Sequence, residues 1–414
     1  MNRRETRTVY TGSPRTERSK AYPRREDVAC SRDRESFYRT AGTGTVMDPI
    51  VIVGGGIVGT ALAHRLRDRS RPVVLYERDA LGSGTTGDSV AIFVRHQSSP
   101  DRPSQALRER AWEAYEPLVE DGTFSFERIG TLDVARTDAE LADRREATAA
   151  LSGFGVEASL LEPAALADHG LDPDAVAGAM WTPNDGYLDP AEIVQHYARE
   201  AAESGVAVET GTAVTDVRVE DGSVVGVETA DGTQPAAAVV NAAGPWAPTV
   251  NDMAGVPLPF RHNLGPVVVL GKDEPFSFPF VQFGDGLYVR GEGRSQAFAG
   301  SFGASYDEAD RLDPTDSRSV DHDFYLEVGD RIEEAIPRLE GAEVVSDWVG
   351  VRTLTPDGVP AVGETAVDDF YVAAGMNGLG VTVAPAIADF LAKRIAGEAV
   401  DPEVAAYLAP SRFA

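Results

Sequence analysis

A short apolar run, Ile50–Val53, breaks into Gly54-Gly55-Gly56-Ile57-Val58-Gly59. Apolar positions then recur at helical spacing (Ala61, Leu62, Leu66), and a second apolar run, Val73–Tyr76, ends on Glu77. Strand, glycine turn, helix, strand and acid follow in the order of a dinucleotide-binding unit. Further on, Leu107, Ala111, Tyr115 and Leu118 share one side of a predicted helix over Ala106–Glu120. Asp189 caps and Pro190 opens another helix, expected to reach about Ser204 and to stop at Gly205. Three alternating runs, Val206–Val208, Ala213–Glu220 and Val224–Thr229, are punctuated by Asp221-Gly222 and Asp231-Gly232 and predict a meander. A buried-looking run, Ala236–Val240, enters Asn241-Ala242-Ala243-Gly244-Pro245-Trp246. Between Pro257 and about Val344 the runs Pro266–Leu270, Gly286–Arg290 and Ala297–Gly300 predict a separate sheet, followed by a helix over Asp321–Ile336. A last strand, Phe370–Ala374, enters Gly375-Met376-Asn377-Gly378-Leu379-Gly380 and a helix to about Ala396.

The dinucleotide-type pattern thus occurs at the start, middle and end, with sheet-rich segments between. The expected fold is α/β: a Rossmann-like dinucleotide domain interleaved with a mixed-sheet α+β substrate domain. The first takes residues 47–95, 188–256 and 345–396; the second takes 96–187 and 257–344; 397–414 form a C-terminal tail. Residues 1–46 lack apolar periodicity and are expected to be disordered or not part of the native protein, since Met47 stands just before the first strand.

The glycines carry chemistry. Gly54 permits a tight turn, Gly56 lets backbone approach a pyrophosphate, and Gly59 lets the helix pack on the strand. The helix N-terminus offers free N–H groups to phosphates, and Glu77 is placed to bind a ribose diol. A nicotinamide enzyme needs only the first of the three glycine-bearing strand exits. A flavin dinucleotide adds an isoalloxazine and a ribityl chain, which further backbone must approach closely. Three such exits therefore point to FAD.

Composition narrows the field. No apolar run approaches the roughly 18 residues of a membrane span. The single cysteine, Cys30, excludes an internal disulfide or a cysteine cluster for metal, and the six histidines show no metal-ligand spacing. Residues 1–46 carry 11 basic and 6 acidic side chains; residues 47–414 carry 27 and 60. So acidic a body repels nucleic acid. With only Lys20, Lys272 and Lys393 as lysines, it has the balance of a salt-adapted protein, expected in the cytoplasm.

The segments VIVGGGIVGTALAHRL, VVLYERDALGSGTTG, DGYLDPAEIVQHYAREAAESGVAVETGTAVTDV, VVNAAGPWA, GVRTLTPDGVPAVGE and YVAAGMNGLGVTVAPAIAD stand in an order that resembles the D-amino-acid oxidase-like (DAO) family of FAD enzymes, the group of sarcosine oxidase, glycine oxidase and D-amino-acid dehydrogenase. The resemblance spans essentially residues 47–395. It implies that Gly54, Gly56 and Gly59, with Ile57 and Val58 between them, hold the pyrophosphate and Glu77 the adenosine ribose. It implies that Arg78, Ser83, Thr85 and Thr86 line the FAD loop, that the Val214 backbone meets the adenine, and that Ala243 and Gly244 pass near the cofactor. Gly375, Asn377, Gly378, Leu379, Gly380 and Val381 then border the flavin, with Thr382 starting the next helix.

Family substrates usually carry a carboxylate, for which arginine is the bidentate partner. Arg352 matches the carboxylate-binding arginine of the glycine oxidase branch, and Arg95 that of the monomeric sarcosine oxidase branch; Arg290 is a third candidate. His96 reads as structural. Covalent attachment of FAD through cysteine is not expected, because Cys30 lies in the N-terminal segment. No lysine stands in YVRGEGRSQAFAG, where relatives place one linked with oxygen activation, so a dehydrogenase is favoured over a strict oxidase. The expected activity is oxidation of a small amino acid or N-methylated amine by hydride transfer to non-covalent FAD, giving an imine that hydrolyses. Two rivals remain open. One is a 2-hydroxy-acid or glycerol-phosphate dehydrogenase of the same fold, with His96 or His262 as base. The other is a non-catalytic FAD-binding subunit of a larger complex.

Overall fold

The apolar strand Ile50–Val53 sits centrally in a six-stranded sheet of a computed structural model that describes residues 47–303 and 305–414. The expectations for residues 1–46, Cys30 and Lys20 lie outside the described residues. The strand order is Ala361–Glu364, Phe370–Ala374, Ala238–Asn241, Ile50–Val53, Val73–Tyr76 and Ala207–Glu209. All neighbours pair in parallel except the first two. The three inner parallel strands are buried along their whole length, as a parallel sheet covered on both faces requires. One face, through Ile50, Ile52, Leu75 and Val240, packs against helices Ile57–Leu66, Arg102–Glu120, Pro190–Glu203 and Gly380–Ile395. The other, through Val51, Val53, Val74 and Val239, packs against Val217, Val224 and Val227 of a three-stranded antiparallel sheet.

An eight-stranded mixed sheet forms the second layer, in the order Glu343–Leu354, Arg261–Gly271, Gln296–Ser301, Leu287–Glu292, Phe280–Phe283, Thr131–Ala135, Gly178–Thr182 and Ser159–Leu161. Phe324, Val328 and Ile332 of helix His322–Ala335 bury against it with Val268, Leu270 and Val281. The two sheets draw on alternating stretches of the chain, so the fold is a mixed α/β architecture of interleaved sheets. No helix among the described residues is long and apolar enough to cross a membrane.

Three expectations need correction. The predicted meander is built differently. Ala207–Glu209 joins the large parallel sheet beside Val73–Tyr76, and the third strand of the small sheet is Gly232–Pro235. The Asp231-Gly232 turn folds the chain straight back into pairing with Ser223–Thr229, a step that apolar counting misses because Gly232–Pro235 contains no apolar run. The Glu343–Leu354 strand crosses residue 345, where a boundary was expected, because its pairing with Arg261–Gly271 runs on to Leu354. The tail is built in: helix Pro402–Leu408, capped by Asp401, buries Val404 and Leu408.

Candidate active site

The glycine turn is forced into its shape by its neighbours. Gly54 has φ +110°, and a Cβ there would lie 2.5 Å from the Ala242 carbonyl oxygen. A Cβ on Gly59 would lie 1.9 Å from the Gly54 oxygen, so Gly59 acts by packing, not by facing a ligand. Gly56 is open except for Thr86 Oγ1 at 3.2 Å. Glu77 Oε2 accepts from the Gly55 N–H at 2.7 Å, and Oε1 accepts from Asp79 N–H at 2.9 Å. Thr86 Oγ1 accepts from the Ile57 N–H at 3.2 Å, at the first turn of the helix.

These groups open on a cavity of about 370 Å³. Of the residues expected at the cofactor, Gly54, Gly56, Ile57, Val58, Glu77, Arg78, Ser83, Thr85, Thr86, Val214, Ala243, Gly244, Gly375, Asn377, Gly378, Gly380 and Val381 line it. Gly59 underlies it, and Leu379 and Thr382 line a second cavity instead. The lining runs from Thr212–Val214 past the glycine turn to Met376–Gly378 and Arg352. A flavin dinucleotide fits this cradle: side-chain-free backbone at the turn, a carboxylate at Glu77, and the N-terminus of helix Gly380–Ile395 at the other end. Sequence reasoning missed Trp246, whose indole lies 3.7 Å beneath the Arg78 guanidinium in the same wall. Its place in the Gly244-Pro245-Trp246 strand exit is the signal that could have found it.

The second cavity, about 270 Å³, shares Thr85, Ser89, Arg352 and Gly378 with the first. Arg352, on strand Glu343–Leu354, is the one cation common to both. Its Nε donates to Asn263 Oδ1 at 3.2 Å and its Nη2 to the Ser301 carbonyl at 3.4 Å. No acidic side chain among the described residues forms an ion pair with it, and burial pulls its pKa down to about 10. Arg95 and Arg290 line neither cavity. The Arg95 guanidinium donates to the Asn184 carbonyl at 3.1 Å and lies 4.6 Å over Trp112. Arg290 is engaged by the Val90 carbonyl and by Glu292, and stacks 4.0 Å from Tyr187.

Two charged residues not singled out in the sequence, Asp88 and Arg108, help complete the second cavity. Asp88, exposed as a whole residue, is the one acid among the described residues of its wall, and partial desolvation raises its carboxyl pKa. Arg108 of helix Arg102–Glu120 is the other cation. His96 also lines it, with Nε2 3.3 Å from Asp133 Oδ2 and 3.3 Å from Ser98 Oγ, while Nδ1 is buried without a partner. Arg144 Nε lies 2.8 Å from Asp133 Oδ1, close enough for an ion pair but not aligned as a hydrogen bond. Burial opposes ionisation of Asp133, yet His96, Arg144 and Ser98 together hold its pKa below the usual range. His262 lies outside both cavities, against Thr353 Oγ1. Lys272 donates to the Arg338 and Glu340 carbonyls, and Lys393 pairs with Asp389. No lysine among the described residues lines either cavity. None of those residues forms a metal-holding cluster.

Comparison with known proteins agrees with this geometry. The model of a family described as FAD dependent oxidoreductase (DAO) matches residues 49–394. Glycine oxidase from Geobacillus kaustophilus is 28% identical over 81% of this chain and 89% of its own. Sarcosine oxidase subunit beta from Rhizobium meliloti is 28% identical over 86% of each. The crystal structure of L-proline dehydrogenase from P. horikoshii superposes with a TM-score of 0.79 at 29% identity, covering 89% of this chain and 98% of that one.

Proposed function

The chain belongs to the DAO family of FAD dependent oxidoreductases, and from that premise we propose that it oxidises a small amino acid or N-methylated amino acid at the C–H beside nitrogen, releasing an imine to water. Bound FAD supplies the two-electron acceptor. Gly54, Gly56, Glu77, Thr86 and the N-terminus of helix Gly380–Ile395 would hold it. The observation that carries the substrate class is Arg352, a half-buried guanidinium with no carboxylate partner among the described residues, standing where the two cavities meet. A substrate carboxylate satisfies its planar fork and fixes the reacting carbon relative to the cofactor cavity. Asp88, its pKa raised by burial, offers the amine N–H an acceptor and can take its proton. Catalysis otherwise rests on positioning, so no further dyad is required.

Several finer points belong to the same reading. The chain divides into an FAD domain and a substrate domain built on the two large sheets. The absence of lysine from both cavity walls, among the described residues, supports an electron acceptor other than oxygen. An acid-rich, lysine-poor body supports a salt-adapted cytoplasmic enzyme. The glycine oxidase and L-proline dehydrogenase relatives support an amine donor. One observation favours the hydroxy-acid rival: His96, held by Asp133, lines the second cavity, and its buried Nδ1 has no partner among the described residues. Anaerobic titration of the purified flavoprotein against amino acids, N-methylglycines and 2-hydroxy acids separates the two. Bleaching of the flavin band by carboxylated amines is expected. Bleaching by hydroxy acids alone overturns the amine reading, and bleaching by none of them favours a non-catalytic subunit.

A further inference from the structure

The second cavity holds one more positive charge than a simple amino acid can use. A zwitterion brings a carboxylate for Arg352 and an amine for Asp88, the one acid in the wall. That leaves Arg108. It is 4% exposed and sits on the part of the wall that the dinucleotide cavity does not share. Among the described residues its Nη1 reaches only the Ser104 carbonyl, at 3.2 Å, and the Ser104 hydroxyl one helical turn back, and its buried Nε has no partner. Burial pulls its pKa down to about 10, and Tyr407, Asp101 and Asp185 oppose this only through space. Removing a guanidinium from water without an ion pair is costly, and its planar fork matches the geometry of a carboxylate. The surroundings suit a polar group. Gln97, Ser98 and Gln282 line the same region, with Gln97 Nε2 donating to Gln105 Oε1 at 2.9 Å and Gln282 Nε2 to Ser98 Oγ at 3.1 Å.

We propose that Arg108 binds a second carboxylate, so that the preferred substrates are amino or imino dicarboxylic acids, gripped by Arg352 at the cofactor end and by Arg108 at the other. The proposal rests on the amine-oxidation reading above. Its grounds are the unpaired guanidinium and the charge balance of the wall.

The test uses the flavin-loaded enzyme and matched pairs of amines. Aspartate is set against 2-aminobutyrate, and N-methylaspartate against N-methyl-2-aminobutyrate, with anaerobic flavin bleaching as the readout. The dicarboxylate of each pair is expected to reduce the flavin with an apparent second-order rate constant at least about tenfold higher. In Arg108→Met, which keeps the length but removes the charge, that ratio is expected to collapse toward unity. A binding readout stands beside it: succinate is expected to perturb the flavin spectrum of the wild-type enzyme at concentrations at least about tenfold below butyrate. This measurement decides the matter even if the variant fails to fold. Ratios near unity in the wild-type enzyme, equal potency of succinate and butyrate, or a dicarboxylate preference that survives Arg108→Met each overturn the proposal. Failure of every amine in both classes would overturn the amine reading itself, a different result.

Discussion

At the scale of single residues, the site is a problem of placing charge. Arg352, half-buried, and Arg108, buried, are cations without carboxylate partners among the described residues, whereas Arg95 and Arg290 are spent on backbone carbonyls, aromatic faces and Glu292. The sequence offered three candidate arginines, Arg352 and Arg95 through their matches to two branches of the family and Arg290 as a third. Only the fold distinguishes them, because a guanidinium's worth depends on which acceptors surround it, and those come from segments far apart in the chain. Arg108 carried no signal at all, being one charge among several on an amphipathic helix. If Arg352 clamps the substrate carboxylate, Arg352→Lys keeps charge but loses the fork, and Arg352→Ala loses both. Losing a charge-assisted hydrogen bond in a desolvated site costs about 2–5 kcal/mol, so kcat/KM for carboxylated amines should fall on the order of 10²-fold or more in Arg352→Ala. Flavin content should hold, and an amine without a carboxylate should be nearly indifferent. Equal losses on both kinds of amine would assign Arg352 a structural role.

At the scale of elements, the parts legible in advance were those whose signal is local. The strand–glycine–helix–strand unit, the Asp189-capped helix and the Phe370–Ala374 strand stand where the pattern put them. Ala207–Glu209 does not. Its alternation suits either sheet, and the choice is made by the parallel ladder with Val73–Tyr76, which lies more than a hundred residues upstream. The first helix also shows how an element's packing writes a pH dependence. His64 packs 4.8 Å from Tyr197 on helix Pro190–Glu203. Burial, Arg67, His196 and Arg65 depress its pKa from 6.5 to about 3. The folded state therefore resists a proton that the unfolded chain accepts. Above pH 6.5 neither state is protonated and the group is neutral to stability; as pH falls from 6.5 toward 3 only the unfolded state gains the proton, and stability drops. The ring is partly solvated, so the loss is discounted from its full value. Thermal melts of His64→Gln should show a shallower decline than wild type over that window. Parallel curves would mean that His64 titrates normally in the folded protein.

At the scale of the whole molecule, the controlling quantity is charge. Residues 47–414 hold 60 acidic and 27 basic side chains. Even with every cation paired, an excess of 33 negative charges faces itself across one body. Such self-repulsion destabilises the compact state, while the expanded chain relieves it. Salt acts in two directions. It weakens surface ion pairs such as Arg218–Glu228 and Arg394–Glu364, which contribute little to stability in any case. It also shortens the Debye length from about 10 Å at 0.1 M to about 3 Å at 1 M, screening repulsion between all the unpaired carboxylates. With the acids so far in excess, the second effect should win. The thermal midpoint of the flavin-loaded enzyme should rise by several degrees between dilute buffer and molar potassium chloride. Most of that rise should come within the range where the Debye length changes. Sucrose at matched osmolality, which is excluded from the surface but screens no charge, should give a smaller and more nearly linear rise. If chloride and sucrose act alike, or if salt lowers the midpoint, self-repulsion does not limit this fold. The acidic surface would then need an explanation other than adaptation to salt.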